Sequence, residues 1–125
     1  MRKILAIFLL GLIVGGGCGA LWMQRRLAMP RFDTTFQAVL LDTGQVYYGK
    51  LEGAGTPYPV LREVYYVQSR ADAQNKQVTN ILIRRGREWH GPESTALNAA
   101  HIVMIEPVDR DSKVAQLIAE QQKSK

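Results

Sequence analysis

The sequence predicts an N-terminal transmembrane helix followed by a mainly-β domain, a small SH3-like barrel of about five strands, with a C-terminal α-helix. Three observations predict this fold class. An uncharged stretch opens the chain, five short segments rich in Val, Ile and Tyr follow it, and a segment with helical periodicity ends it. In a chain of 125 residues, this arrangement leaves room for one small domain after the uncharged stretch.

The uncharged stretch covers residues 4–23, and pairs of basic residues flank it on both sides. At about 1.5 Å per residue, a helix of this length reaches about 30 Å, the thickness of a bilayer's hydrocarbon core. Trp22 lies where an indole ring prefers the membrane interface. We therefore expect residues 1–23 to form a transmembrane signal anchor.

Two alternatives to an uncleaved anchor stay open. Cys18 and Ala20 provide small residues at the spacing that a signal peptidase requires. Lipidation at Cys18 calls for an apolar residue three places earlier, where Gly15 stands. Residues 21–23 prolong the apolar stretch to full spanning length, which favours the uncleaved anchor.

Three glycines recur at every fourth position of this stretch. Gly11, Gly15 and Gly19 would share one face of a helix, where a second backbone can approach closely. This spacing predicts that the helix pairs within the membrane, either with a second copy of the chain or with a protein partner. The alternative is that these small residues pack only against membrane lipid.

The distribution of basic residues around the stretch predicts its orientation. Two basic residues and the terminal amine precede it, and a short tail of this kind usually stays in the cytoplasm. We therefore expect a single-pass protein of the bacterial cytoplasmic (inner) membrane, with its C-terminal domain on the periplasmic, extracytoplasmic side.

Five short segments after residue 35 have the composition of β-strands. The first two flank Asp42-Thr43-Gly44, which predicts a hairpin loop in which Gly44 adopts a left-handed conformation. The third segment has apolar residues on both faces, so it is either central to a curled sheet or offers one face to a partner. The predicted strands are 36–41, 45–51, 58–68, 78–85 and 101–108. Five strands favour a small barrel over a sandwich, which needs about seven.

The end of the chain has the signals of a helix. Pro107 stops the last strand because proline donates no ladder hydrogen bond, and Asp109 or Asp111 can cap a helix after it. Val114, Leu117 and Ile118 would form its apolar stripe. The predicted organisation is a transmembrane signal anchor at 1–23, a connector at 24–35, a small β-barrel at 36–108 and a C-terminal helix at 109–122.

Several stretches of the chain are similar to a family of proteins. They are residues 42–51, 64–68, 90–93, 97–106 and 111–118. Together they resemble a widespread group of uncharacterised bacterial proteins that have one N-terminal membrane span and a small β domain. The resemblance implies this architecture and supplies no catalytic residues. A looser likeness to Sm-like barrels depends on Gly49 in "VYYGKL", although the helix that precedes the first strand of those barrels is not predicted here.

Composition and motifs argue against several classes of function. The net charge of +5 is mild and argues against nucleic acid as the partner. Cys18 is the single cysteine, so an intramolecular disulfide and a cysteine-rich zinc site are excluded. His90 and His101 lack the spacing of a metal-binding pair, and no phosphate-binding or dinucleotide-binding glycine loop occurs. We therefore expect no metal, no cofactor and no enzyme activity.

The remaining signal is that of a binding protein. Two pairs of adjacent tyrosines and a loop containing "EWHGPE" offer aromatic contact surface. The predicted partner surface consists of Tyr47, Tyr48, Tyr65, Tyr66, Trp89 and His90. We expect a membrane-anchored protein-binding or scaffold module, an accessory subunit of a cell-envelope complex.

Two alternatives belong to other classes of function. A small envelope enzyme would be centred on His90 and Glu93, because a histidine beside a carboxylate can move protons. A nucleic-acid-binding barrel would use the basic cluster Arg84, Arg85 and Arg87 with the tyrosines, and it requires a cytoplasmic domain.

Overall fold

The structure is a computed structural model that describes residues 16–23 and 31–124. The chain divides into two units, Met1–Pro30 and Arg31–Lys125. In the first unit, residues 16–23 are helical (α1), and their side chains are exposed. The predicted connector at 24–35 is described from residue 31 onward.

The prediction of a membrane-spanning helix is not supported. Among the residues that the structure describes, no helix is both long enough and apolar enough to cross a membrane. The predicted transmembrane signal anchor and the predicted single-pass location in the inner membrane are therefore wrong for this part of the chain.

The predicted glycine face is described at one position only. Gly11 and Gly15 lie outside the described residues. At Gly19, an added Cβ would meet no atom within 4 Å.

The second unit is an antiparallel sheet with a helix at its C-terminal end. Its strands are β1 (Gln37–Leu41), β2 (Val46–Glu52), β3 (Val60–Ala71), β4 (Val78–Arg84), β5 (Ser94–Ala96) and β6 (Ile102–Pro107). A 3₁₀ turn at Ala99–His101 precedes β6, and helix α2 covers Lys113–Lys123.

The predicted SH3-like barrel of about five strands is wrong, because the strands form one six-stranded antiparallel sheet. Six strands form one sheet in the order β4-β3-β2-β1-β6, and β5 pairs with the first residues of β3. β4 and β6 stand at opposite ends of this order and do not pair with each other in the described unit, so the path stays open. The strand that the sequence did not predict is β5. It has only three residues, too few to show the alternation by which a strand is recognised.

The hairpin that joins β1 and β2 is confirmed. The Gly44 amide donates to the Leu41 carbonyl at 2.9 Å, and the Leu41 amide donates to the Gln45 carbonyl at 3.0 Å. Gly44 has a φ of +84°, the left-handed region that glycine enters without steric cost. This turn sets the register in which Leu40 pairs with Val46.

Apolar side chains are buried on both faces of the sheet. On one face the core consists of Val39, Leu61, Val64 and Leu97, with Leu41, Tyr47, Leu51, Ile102 and Ile105 packed against it. On the other face Ile118 of α2 is buried with Tyr65 and Leu82. The second apolar face of β3 is therefore covered by the chain's own helix.

The start of α2 differs from the prediction. Ser112 caps the helix, and its Oγ accepts a hydrogen bond from the Ala115 amide at 3.2 Å. Asp109 instead accepts from the Asp111 amide at 3.1 Å in the preceding turn. The predicted apolar stripe is confirmed, because Val114, Leu117 and Ile118 all pack on the sheet.

Candidate protein-binding loop

Residues 85–93 connect β4 to β5 and form the loop that carries Trp89. The Trp89 side chain is fully exposed. Two glycines with positive φ, Gly86 at +120° and Gly91 at +53°, bracket it. Because these values favour glycine, the two residues permit the sharp turns that place Trp89 at the tip.

Glu88 holds this loop in shape. Its Oε2 accepts a hydrogen bond from the Gly86 amide at 2.7 Å, and its Oε1 accepts from Arg85 Nε at 3.0 Å. The Glu88 carbonyl accepts from the Gly91 amide at 2.8 Å. The residue directly before Trp89 is thus fixed by three hydrogen bonds.

Arg85 ties the base of the loop to the sheet. Its amide donates to the Val64 carbonyl at 2.8 Å, and a terminal nitrogen of its guanidinium donates to Thr95 Oγ1 at 3.3 Å. The guanidinium carbon lies 5.7 Å from the centre of the Tyr47 ring, within range of a cation–π interaction. Tyr47 in turn contacts Tyr66 edge to face, with ring centres 6.3 Å apart. The loop therefore has a rigid base.

These hydrogen bonds stabilise the charged form of Glu88. The Gly86 amide, the backbone of Glu88 itself and the Arg85 side chain, in that order of importance, lower the pKa of this carboxyl from 4.5 to about 2. Because the folded pKa is the lower one, the stabilisation is fully present above pH 4.5 and is lost as pH falls through about 2.

We therefore expect the loop around Trp89 to loosen between pH 4.5 and about 2 while the sheet keeps its structure. Trp89 fluorescence, measured with Trp22 replaced by phenylalanine, reports the change. Glu88→Gln removes the charge, so it should loosen the loop at neutral pH and abolish the transition. Glu93→Gln is the matched control, because Glu93 is an exposed carboxylate of the same loop. A transition that survives Glu88→Gln would contradict this assignment.

The six residues of the predicted partner surface do not share one surface. Tyr65 is 0% exposed, and Tyr48 packs beside it on the α2 face. Tyr47 and Tyr66 are half-buried on the opposite face, at the base of the loop. Only Trp89 and His90 are exposed. Tyr65 is therefore a core residue and offers no contact to a partner.

The residues of the alternative enzyme site lie on the loop at 85–93. His90 and Glu93 are both exposed, and no hydrogen bond or ion pair joins them in the described loop. Among residues 16–23 and 31–124, no three His, Cys, Asp or Glu side chains gather closely enough to hold a metal ion. His101 is exposed and pairs with Asp42, with 2.6 Å between Nδ1 and Oδ2.

A groove of about 840 Å³ lies between this loop and the end of α2. Its charged lining consists of Glu63, Arg84, Arg87 and Glu93. Glu63 is neutralised by Lys50, whose Nζ lies 2.7 Å from Glu63 Oε2. Arg84 lies 6.0 Å from the Tyr65 ring. No carboxylate pairs with Arg84 or Arg87 among the described residues.

No protein-family model matches this chain, and no curated protein matches it significantly. The resemblance to single-span bacterial proteins with a small β domain therefore stays a prediction.

Proposed function

We propose that this domain is a protein-binding or scaffold module whose principal contact residue is Trp89. The observation that carries the proposal is a fully exposed tryptophan on a loop fixed by the hydrogen bonds of Glu88 and Arg85. Burying a large aromatic ring in a partner's pocket releases the water that now covers its apolar surface. Tryptophan is accordingly enriched among the residues that contribute most to protein interfaces.

The rigidity of the loop supports the same function. A flexible loop loses conformational entropy when it binds, and this loss lowers the affinity. Here the Glu88 network already fixes the backbone on both sides of Trp89. A partner therefore meets the backbone that carries Trp89 in one arrangement, which favours specific binding.

Polar residues surround the tryptophan as expected for the rim of an interface. Arg87, His90 and Glu93 are exposed on the same loop. Exposed polar groups around a central aromatic residue exclude water and add orientation more than affinity. We expect the partner's pocket to be apolar at its centre and polar at its edge.

Site-specific photocrosslinking tests the proposal. Full-length protein carrying benzoylphenylalanine at position 89 should form a discrete adduct with another protein in the cells that produce it. Tyr58 is the matched control position, because it is an aromatic residue that is 66% exposed on a different loop. Once the crosslinked protein is identified, Trp89→Ala should weaken its binding by about tenfold or more and leave the thermal unfolding of the domain unchanged.

An adduct that forms equally at positions 58 and 89 would contradict the proposal, because it would reflect exposure alone. Unchanged affinity in Trp89→Ala would contradict it as well.

A further inference from the structure

The sheet ends in two edges that differ in protection. β6 forms one edge and contains Glu106 and Pro107, residues that discourage the addition of another strand. β4 forms the other edge and has neither proline nor carboxylate in its seven residues. Among the described residues, one side chain hydrogen-bonds to the β4 backbone: Gln121 of α2, which donates to the Leu82 carbonyl at 2.7 Å. An added strand would have to take the Leu82 carbonyl from Gln121, and no other side chain of the described unit bonds to the β4 backbone.

The hairpin formed by the second half of β3 and most of β4 is exposed on both faces. Every residue from 67 to 81, which we name the hairpin arm, is exposed. The arm carries apolar side chains nonetheless, and Val78 is 65% exposed. A two-stranded ribbon is marginally stable by itself, whereas three strands with an apolar face are stable. A third strand beside β4 would supply the missing partner.

The charge of residues 70–87 indicates which kind of strand would bind beside β4. Residues 70–87 contain five basic residues and one acidic residue, Asp72, and one of the five, Arg85, is already paired with Glu88. A second copy of β4 offers these charges no carboxylate, since its seven residues contain none. An acidic strand is favoured by the same charges. The arm contains no aromatic residue, so it lacks the stacking surface that single-stranded nucleic acid requires.

The groove between loop 85–93 and the end of α2 begins where β4 ends. Arg84 ends β4 and lines the groove together with Arg87 and Glu93, and neither guanidinium pairs with a carboxylate in the described unit. A strand laid along Val78–Arg84 would therefore lead its acidic side chains past these two arginines and reach the loop that carries Trp89.

We infer that β4 accepts an extended, acidic segment of a partner protein as an added strand. The main-chain hydrogen bonds of β4 provide affinity, and Arg84 and Arg87 select carboxylate side chains. This inference rests on the proposed function in so far as the segment belongs to the protein that contacts Trp89.

Synthetic peptides test the inference on the full-length chain. The probe is a fluorescent seven-residue peptide of alternating Glu and Val, which matches β4 in length. Its controls are the same peptide with Lys for Glu, the Glu-Val peptide with N-methyl groups on alternate backbone amides, and an oligothymidylate. Fluorescence anisotropy measures affinity, and amide NMR shifts locate the site.

We expect the Glu-Val peptide to shift the amides of β4 and of loop 85–93 and to leave β6 unaffected. N-methylation should weaken binding by about tenfold or more, since it removes main-chain hydrogen bonds. Arg84→Gln combined with Arg87→Gln should weaken binding by about fivefold and reduce its salt dependence. The matched control is Arg110→Gln with Lys113→Gln, which changes the charge equally near the start of α2.

Equal binding of the methylated peptide, tighter binding of the oligothymidylate, or concentration-dependent β4 shifts without peptide would overturn the inference. The last result would mean that a second copy occupies the edge. The two proposals fail separately. An adduct at position 89 without peptide binding at β4 would refute only the added strand, and peptide binding at β4 without such an adduct would refute only the role of Trp89.

Discussion

Ile118→Ala is expected to lower the free energy of unfolding of the β domain by about 3 kcal/mol. Ile118 is 2% exposed and packs against Tyr65 and Leu82. Alanine removes three carbon atoms from this contact. Near its C-terminal end, the helix is held to the sheet by Gln121, which donates to the Leu82 carbonyl at 2.7 Å. It therefore cannot move freely to fill the cavity, and a large loss follows.

Denaturant unfolding followed by circular dichroism measures this change. Glu120→Ala is the matched control, because it alters an exposed residue of the same helix and should shift the free energy by less than about 0.5 kcal/mol. If Ile118→Ala unfolds at the same denaturant concentration as the unaltered protein, α2 contributes nothing to the core. The face of Tyr65 would then be open for a partner, as the sequence had suggested.

Local signals predicted the hairpin of β1 and β2 and the apolar stripe of α2 correctly. Gly44 marks a turn that closes within four residues, and the stripe depends only on helical periodicity. The partner of the second β3 face was not predictable in the same way. Apolar residues on both faces show that both are covered, but they do not show that residues more than 40 positions later in the chain cover one of them.

The two pairs of adjacent tyrosines lie in two different environments, although the pairs look alike in the sequence. In a strand, adjacent residues point to opposite faces, so Tyr47 and Tyr48 separate, as do Tyr65 and Tyr66. The register pairs Tyr48 with Tyr65 under α2, whereas Tyr47 meets Tyr66 on the other face. The alternation of side chains along a strand, applied to the sequence, would have assigned the four tyrosines of the predicted partner surface to two opposite faces of the sheet.

The membrane prediction failed for a different reason. It depended on the length of an uncharged stretch, which is a necessary property of a spanning helix but not a sufficient one.

The candidate loop was predictable only in part. Trp89 and His90 could be identified by residue type, and the structure places both at the surface. The role of Glu88 could not be identified, because the sequence does not show how a loop carboxylate is oriented toward a nearby arginine. It depends on the backbone turn at Gly86, whose amide completes the network. The pairing of His101 with Asp42 joins residues 59 positions apart and has no local signal.

Gly49→Ala is the second substitution with a large expected effect. A Cβ at this position would lie 2.9 Å from the Arg62 carbonyl oxygen and 3.1 Å from Leu61 Cδ2. Real Cβ atoms do not approach a backbone oxygen this closely, so β3 would have to move. β3 resists this movement because the register between β2 and β3 shifts at this point, where Glu63 adopts a φ of +49°.

We expect Gly49→Ala to lower the free energy of unfolding by about 2 kcal/mol or more, the range of overpacked cores. Gly19→Ala is the control, since its Cβ meets nothing within 4 Å. Displacing β3 also shifts Val64, which accepts the hydrogen bond from the Arg85 amide. The amide resonances of loop 85–93 should therefore change in Gly49→Ala even in native buffer. Unaltered stability together with unaltered loop resonances would show that β2 and β3 are farther apart than the structure places them.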